Sequence, residues 1–403
     1  MVPYRILLKR IQKDKAQKEE RRKAYREKYD CLEKIFTPRH YIKCIRKCRK
    51  GVRFKHSVQR YCARPFKKIG EDLHGAVNVQ FLPVNKNRSI VIRERGHERF
   101  ITPIQIRDRV NQRVLCDYGL APLMTRRLIY DNGACLKGKG VSFSRKRFEK
   151  MLESAKREWG NSFDAYVFDF HRFFENLPHS LCYREIDRAF QDKRIVNLTA
   201  RIVEDYAAID AERDKNFKAL SLIRQHRWFG VCLGSHVSQL MGICALNFFD
   251  HWIKDVLGIK YYIRHVDDCI ILHNDRNLLK KLAKEICVKL SEAGLILSEK
   301  KSHIVPIRKG VRFLKIRYII TDELKTIRKI WGKSVIRMRR KLRKFVGKVL
   351  NGKMTEEQVY LSFQSWQAHS RECMSYHTRK KMFELYHLLF GDTYIQKWRC
   401  AAA

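Results

Sequence analysis

Hydrophobic and polar residues follow spacings that predict the secondary structure of most of the chain. Residues 4–29 carry a short apolar stripe among many charges, which predicts a basic helix. Thr37-Pro38 predicts the start of another helix, because threonine caps a first turn and proline fits its first position. Residues 77–103 alternate apolar and polar side chains, as in a β-hairpin, and residues 104–118 return to helical spacing.

The second half of the chain predicts a sheet with helices on one face. Its predicted elements are, in order, a strand at 163–170, two or three helices at 179–224, two strands at 261–273, a helix from Asn274-Asp275 to Gly294, and strands at 295–297 and 311–320. This order of strands and helices is ferredoxin-like. Residues 327–398 have a helical pattern with a dense Lys/Arg run. We therefore expect an α+β fold that ends in a helical region.

Charge is the feature of composition that changes this picture most. The 403 residues include 86 Lys and Arg against 42 Asp and Glu, a formal net charge of +44. Apolar residues make up 45% of the chain, enough for a real core, which excludes global disorder. A compact chain this basic repels itself unless a polyanion lies against it. We therefore interpret the helix at 4–29 as a nucleic-acid contact rather than a solvated arm, with an acidic protein as the alternative partner.

The expected cellular compartment follows from the spacing of the cysteines and from the lack of long apolar runs in the sequence. The thirteen cysteines are scattered, which is typical of a reducing compartment. No apolar run reaches the ~18 residues that a membrane helix needs, and no signal-peptide stretch begins the chain. We expect a cytoplasmic protein with no membrane partner. Cys44 and Cys48, with His40 and His56 nearby, supply donors for zinc, but their spacing is unlike a zinc knuckle, so we favour a buried or phosphate-facing helix.

The chemistry of the chain centres on Asp267-Asp268, which interrupts two apolar strands. One interpretation is a surface turn, in which aspartate is common. The other is a metal site, because two carboxylates next to buried strands are costly unless they are paired or bound to metal. The hairpin by itself leaves both interpretations open.

A third carboxylate favours the metal site. Asp169 ends the predicted strand at 163–170, so it converges with Asp267 if that strand pairs beside the hairpin. Carboxylate oxygens favour Mg²⁺, which leaves coordination positions for substrate phosphates. Two such ions ~4 Å apart can activate a primer 3′-hydroxyl and neutralise leaving pyrophosphate. Mn²⁺ is the alternative ion.

At this point the sequence resembles the reverse transcriptases, whose right-hand fold has fingers, a ferredoxin-like palm with an antiparallel sheet, and a helical thumb. Blocks similar to the family's motifs follow one another in family order between about residues 90 and 390. They are RERGHERFITPIQIRDRVNQRVLCDY (93–118), IYDNGACLKGKG (129–140), DFHRFF (169–174), GVCLGSHVSQLMGICALNFFD (230–250), RHVDDCIIL (264–272), SEKKSHI (298–304) and GVRFLK (310–315).

The resemblance implies a role for each matching residue. Asp169, Asp267 and Asp268 match the three catalytic carboxylates, of which the first two would hold both ions. Phe170 would offer its backbone carbonyl to a metal ion. Phe174 would be the aromatic gate that excludes a ribose 2′-hydroxyl, although alone it is equally a core residue. The residues that match nucleotide-binding positions are Arg99, Leu233, Gly234, Gln239 and Lys301. For Lys301 the alternative is an ordinary surface lysine. The residues that match the primer grip are Phe313, Leu314 and Lys315.

Several positions depart from the usual family pattern. His265 stands where an aromatic is usual, and its imidazole ordinarily titrates near neutral pH. Lys315 replaces the usual glycine of the primer grip. Leu233 stands where many relatives have Gln, and Gln239 where many have Pro. Because leucine cannot hydrogen-bond the incoming nucleotide, we expect weaker discrimination between correct and incorrect pairs.

The pattern LGSHVSQ (233–239) resembles the reverse transcriptases of diversity-generating retroelements and of bacterial antiphage defence, and FQSWQAHS (363–370) resembles the end of their thumbs. The domains expected are a basic extension (1–75), fingers (76–160), a palm (161–322) with a helical insert at about 179–228, and a thumb (323–403). The implied activity is RNA-directed DNA synthesis with two Mg²⁺, dNTPs, a template or structured non-coding RNA, and an RNA–DNA duplex. A catalytically silent RNA-binding scaffold is the alternative, and an accessory protein or a second copy stays open as a partner.

Overall fold

The computed structural model describes residues 4–78, 90–94, 97–101, 103–210 and 228–391. These residues form helices and three antiparallel sheets. Across the described ranges, no helix combines the length and the apolar character that crossing a bilayer requires.

Residues 4–78 form the helices α1 (Tyr4–Tyr29), α2 (Leu32–Ile35), α3 (Pro38–Cys48), α4 (His56–Ala63) and α5 (Pro65–Val77). The predicted helix at 4–29 is confirmed, and so is the helix start at Thr37, whose side chain accepts a hydrogen bond from the backbone N–H of His40. The hairpin consists of β1 (Ile90–Glu94) and β2 (His97–Ile101). The predicted hairpin began too early, because Val77 ends a helix, and residues 79–89 lie outside the described ranges.

The expected buried helix around Cys44 and Cys48 is also confirmed. Both thiols lie on the buried face of α3, which packs against α6 (Ile106–Leu115). Burial raises the pKa of the Cys44 thiol to about 12, so this sulfur is protonated at neutral pH in the metal-free protein. His40 stacks on the ring of Tyr118 with centroids 3.6 Å apart.

The central sheet has four antiparallel strands in the order β4-β5-β3-β6, as in a ferredoxin-like fold. The elements of this region are α7 (Ala121–Met124), α8 (Val141–Trp159), β3 (Asp164–Phe168), α9 (His179–Ala189), α10 (Lys193–Asp210), α11 (His236–Cys244), α12 (Asn247–His251), β4 (Tyr261–His265), β5 (Asp268–His273), α13 (Arg276–Glu292) and β6 (His303–Pro306). The predicted strands, hairpin and helix α13 are confirmed, and Asp275 caps α13.

The prediction that helices cover only one face of this sheet is wrong. Along β3, Ala165 packs with residues of α8, whereas its neighbours Tyr166 and Phe168 belong to the main core on the opposite face. The contacts of α13 with β3 and β5 lie on that main-core side. Burial on both faces explains why these strands are apolar at nearly every position.

A three-stranded sheet and three helices complete the described chain: β7 (Val311–Phe313), β8 (Ile316–Ile320), β9 (Thr326–Ile330), α14 (Gly332–Leu350), α15 (Glu356–Arg371) and α16 (Tyr376–Phe390). Two predictions fail here. The strand expected at 311–320 is broken at Leu314-Lys315 into a hairpin, and residues 326–330 form a strand rather than the start of a helix. Residues 295–297 form no strand of their own, since only Leu297 makes an isolated bridge, to Phe170.

Candidate active site

Asp169 directly follows β3, at the edge of the sheet where the β4–β5 hairpin turns. Phe168 pairs with Cys269 across the two strands, so continuing the register places Asp169 beside Asp268, at the ~5 Å spacing of neighbouring strands. The backbone carbonyl of Asp169 accepts a hydrogen bond of 2.7 Å from the N–H of Ser298. The residue is only 6% exposed, and its Oδ1 is buried without a hydrogen-bond partner.

The turn between β4 and β5 consists of Val266 and Asp267, because His265 and Asp268 are its last paired residues. Val266 has φ of 59°, a left-handed value that a β-branched residue rarely adopts. Such a residue costs ~1–3 kcal/mol and persists only where its surroundings enforce it. The turn is therefore held by contacts rather than by its own sequence preference.

Arg264 supplies the strongest of those contacts. Its side chain and that of Asp250 are both fully buried. Arg264 Nε and Nη2 donate to the two oxygens of Asp250 over 2.7 and 2.6 Å, and Nη2 also donates to the carbonyl of Ile243. The third nitrogen, Nη1, donates over 3.0 Å to the carbonyl of Val266 in the turn. A buried, fully bonded ion pair thus ties the carboxylate-bearing turn to α11 and α12.

Burial and electrostatic repulsion raise the pKa values of two of the three aspartates, Asp267 and Asp268. Burial, followed by the charges of Asp169 and Asp268, raises the pKa of Asp267 to about 7. Burial and the charge of Asp169 raise the pKa of Asp268 to about 6, although Lys301, Arg312 and Lys315 oppose this shift. The three carboxylates therefore share one electrostatic environment that favours an added positive charge.

Lys301 currently supplies part of that positive charge. Its Nζ donates a hydrogen bond to Oδ2 of Asp169. Burial by itself would lower the pKa of Lys301, but this hydrogen bond and the negative charges of the three aspartates outweigh burial, so the pKa is raised. Within the described ranges, no three His, Cys, Asp or Glu side chains are gathered closely enough to form a ready-made metal site. Even so, the donor chemistry fits Mg²⁺, since three carboxylates, one with an unpartnered buried oxygen, face the same edge of the sheet.

The aromatic residues after Asp169 pack against α11. Phe170 is 2% exposed and lies 5.2 Å from Phe173 between ring centroids. Phe174 is only partly buried, and its ring lies over Gly242. A Cβ at Gly242 would approach Cε1 of Phe174 to 2.8 Å, so the absence of a side chain there makes room for the ring.

Of the residues predicted to meet the nucleotide, Leu233, Gly234 and Gln239 lie on or just before α11. Gly234 has φ of 116°, a value suited to glycine, and partly buried Leu233 precedes it. Gln239 is exposed and lies one helical turn before Gly242, so it shares the face that Phe174 covers. Arg99 lies on β2 opposite Ile92, but its side chain is outside the described residues.

The predicted primer grip is the turn of the β7–β8 hairpin. Phe313 is buried, with its ring 5.1 Å from that of Phe148. Leu314 and Lys315 occupy the turn with φ of 46° and 69°. The carbonyl of Leu314 accepts a hydrogen bond of 3.0 Å from Arg145 of α8. Lys315 therefore stands at a left-handed position that favours glycine.

His265 does not titrate near neutral pH, contrary to the expectation from the sequence. Burial and the charges of Arg145 and Arg264 lower its pKa to about 4. Its Nδ1 lies 2.9 Å from the hydroxyl of Ser144. The imidazole is therefore neutral at physiological pH and forms a hydrogen bond with Ser144.

Sequence reasoning missed Arg264, Asp250 and Gly242. A signal for the first two was present, because a lone arginine within an apolar strand needs a buried acidic partner. The sequence did not show which aspartate provides it. Gly242 carried no such signal, since only the packed ring of Phe174 reveals why a side chain is excluded there.

Comparisons with solved structures find telomerases. Telomerase from Candida tropicalis, truncated from its C-terminal domain, is 13% identical, with 60% of this chain and 55% of that chain covered and a TM-score of 0.43. Telomerase from Candida albicans in complex with a TWJ fragment of telomeric RNA is 12% identical, with 79% and 62% covered and a TM-score of 0.44. The chain thus spans less than two thirds of the length of these relatives. Among curated protein sequences no significant match was found.

The decisive comparison is with a family model. The model described as reverse transcriptase (RNA-dependent DNA polymerase) matches residues 99–318, more than half of the chain. The matched range contains all three aspartates, Phe174 and the turn of the β7–β8 hairpin. It is consistent with the right-hand polymerase fold expected from the sequence. The chain belongs to the reverse transcriptase family.

Proposed function

We propose that the chain is an active RNA-directed DNA polymerase that binds a structured RNA and copies an RNA template into cDNA. The observation that carries this proposal is the clustering of Asp169, Asp267 and Asp268 at one edge of the sheet, where the pKa values of Asp267 and Asp268 are raised and Oδ1 of Asp169 is buried without a hydrogen-bond partner. A structural ion pair would leave no such excess of negative charge. An arrangement that favours added positive charge is what a cation-dependent polymerase requires.

Asp169 and Asp267 would hold the two Mg²⁺ ions, with Asp268 and the carbonyl of Phe170 beside them, and Mn²⁺ as the alternative ion. When bound, such ions lower the pKa of the primer 3′-hydroxyl and neutralise charge on the leaving pyrophosphate. The turn held by Arg264 keeps Asp267 in place. Without metal ions, Lys301 neutralises Asp169. Binding of the ions would release this lysine to contact the leaving phosphates.

Other residues would select and orient the substrates. The ring of Phe174 would exclude a ribose 2′-hydroxyl and so favour dNTPs. Arg99 would meet the triphosphate, while Leu233, Gly234 and Gln239 would line the base-pair pocket. Phe313, Leu314 and Lys315 would place the primer end. Phosphoryl transfer depends mainly on positioning and charge, which these contacts would supply.

The excess of Lys and Arg over Asp and Glu would bind the phosphates of nucleic acid along most of the molecule. We assign residues 1–75 to an RNA-binding extension, 76–160 to fingers, 161–322 to a palm with an insert at about 179–228, and 323–403 to a thumb. On α14, exposed Lys333, Arg337, Arg340, Lys341 and Lys344 line one groove, which suits the phosphates of a template–product duplex.

The biological setting that we favour is a bacterial or phage retroelement or an antiphage defence system in the cytoplasm. The support is the resemblance of LGSHVSQ (233–239) and FQSWQAHS (363–370) to those reverse transcriptase groups. Diversification and defence share the same catalytic parts. Gene neighbourhood separates them, because a variable-protein gene with a repeat copy accompanies the former.

Primer extension on a primed RNA tests the proposed activity. With Mg²⁺ and dNTPs the wild-type protein should extend the primer, and Asp267→Asn with Asp268→Asn should abolish extension. Asp255→Asn, at an exposed position away from the site, is the matched control and should retain activity. If the wild type stays inert with its RNA bound, the protein is instead a silent RNA-binding scaffold, an alternative favoured by the hold of Lys301 on Asp169.

A further inference from the structure

Two phenylalanines near the N-terminus are exposed in a way that the polymerase does not explain. Phe54 is 76% exposed and Phe66 is 78% exposed, the highest values of any aromatic residue in the described part of the chain. The other phenylalanines described there are buried or partly buried. Exposing a ring of this size forgoes ~1.5–3 kcal/mol of burial, so two such rings within one short stretch of the chain suggest a ligand.

The surroundings of both rings are strongly basic. Residues 34–70 contain 13 Lys and Arg and no Asp or Glu. Exposed Arg53 and Lys55 flank Phe54, and Arg64 and Lys67 lie on either side of Phe66. Among the described residues, the salt bridges of this stretch are those of Lys47 with Asp117 and of Lys68 with Glu71. The positive charge beside the rings is thus open to an external anion.

The rings lie at the two ends of one short, anchored helix. Phe54 lies two residues before α4 and Phe66 is the second residue of α5, so α4, which is ~12 Å long for its eight residues, lies between them. Val58 and Tyr61 bury the inner face of α4, and the Tyr61 hydroxyl donates to Asp72 over 3.1 Å. A rigid support therefore presents both rings, which reduces the entropy lost when a ligand orders them.

We propose that Phe54 and Phe66 form a binding site for single-stranded RNA, in which two bases stack on the rings and the intervening phosphates contact the adjacent Lys and Arg side chains. Aromatic platforms within a positive surface are the usual means of holding unpaired bases. A base-paired helix would keep its bases stacked on each other and leave the rings unused. The inference deepens the proposed function, because it identifies an unpaired segment of the bound RNA as the part held by the N-terminal extension.

Fluorescence anisotropy with a short labelled single-stranded RNA, and with a duplex of the same sequence, tests this site on the full chain. Phe54→Ala and Phe66→Ala should each weaken single-strand binding about fivefold or more, whereas Phe→Trp at either position should preserve it. Neither alanine variant should change the slope of affinity against salt, since no charge is lost. Arg53→Gln should reduce that slope by about one.

Leu388→Ala is the matched control, because this leucine is 81% exposed on α16 and lies outside the basic stretch. It should leave RNA affinity unchanged. Unchanged binding by both alanine variants, or an equal loss for duplex RNA, would overturn the proposal. So would displacement of the RNA by a polyglutamate peptide with no effect of the phenylalanine variants, which would assign the surface to an acidic protein.

The same proteins separate this inference from the proposed function. The alanine variants should extend a short pre-annealed primer on RNA as well as the wild type does, because the rings are remote from the aspartates in the sequence. Primer extension absent from the wild type would refute the polymerase but leave the binding result standing. Normal extension with unchanged RNA affinity would refute the stacking site alone.

Discussion

Replacing Arg264 by methionine should lower both the stability of the fold and the polymerase activity. The arginine makes four buried hydrogen bonds, two to Asp250, one to the carbonyl of Ile243 and one to that of Val266. Its loss leaves the carboxylate of Asp250 buried and, among the described side chains, hydrogen-bonded by the hydroxyl of Tyr262 alone. Breaking such a pair costs ~3–5 kcal/mol, a large part of a typical folding free energy. Thermal unfolding should therefore show a Tm lower by roughly 4–6 °C.

A double variant separates the structural role of this ion pair from its role at the turn. Arg264→Met combined with Asp250→Leu leaves no buried charge, so most of the lost stability should return. Primer extension should nevertheless stay low, because nothing then anchors the carbonyl of Val266 and the strained turn that carries Asp267. Recovery of full activity together with stability would refute the anchoring role. An unchanged Tm for Arg264→Met would refute the energetic reasoning itself.

Three further changes test individual parts of the site. Asp267→Asn should stabilise the metal-free protein, by up to roughly 4 kcal/mol at pH 8. The native carboxyl has a pKa of about 7 against 3.8 when unfolded, so wild-type stability falls as pH rises between about 4 and 7, and the difference in Tm measured in EDTA should vanish near pH 4. Gly242→Ala should displace the ring of Phe174 and change the ratio of dNTP to rNTP incorporation; an unchanged ratio would mean that this ring is not the gate. Lys315→Gly should relieve a left-handed residue and raise stability by about 1 kcal/mol in denaturant unfolding, and a loss of stability would show that the lysine makes a compensating contact.

Much of the sheet and of the carboxylate cluster could be predicted from local sequence. Apolar runs on both sides of Asp267-Asp268 define two strands, and a second strand ending in Asp169 leaves few ways to pair them. The same runs also carried the signal that the sheet is covered on both faces, because strands exposed on one side would alternate. This signal depends only on whether each strand position is apolar or polar, so it can be recognised in the sequence without knowledge of any tertiary contact.

Features that depend on distant partners could not be read in the same way. The pairing of Arg264 with Asp250 joins a strand to a helix, and several other aspartates were equally available in the sequence. The break at Leu314-Lys315 lacked the glycine or asparagine that usually marks a tight hairpin. Strand β9 contains the adjacent basic residues Arg328 and Lys329, which resemble the basic helix that follows, and its pairing with β8 defines it as a strand. In each case tertiary contacts outweigh local preference.

The central claim is that Asp169 and Asp267 hold catalytic divalent ions. Anomalous diffraction from crystals grown with Mn²⁺, primer–template and a non-hydrolysable dNTP tests this claim most directly. The account predicts two Mn²⁺ peaks ligated by Asp169 and Asp267, with Lys301 moved from Asp169 towards the triphosphate. Crystals that hold the primer–template but show no Mn²⁺ at these carboxylates, with Lys301 still bonded to Asp169, would contradict it.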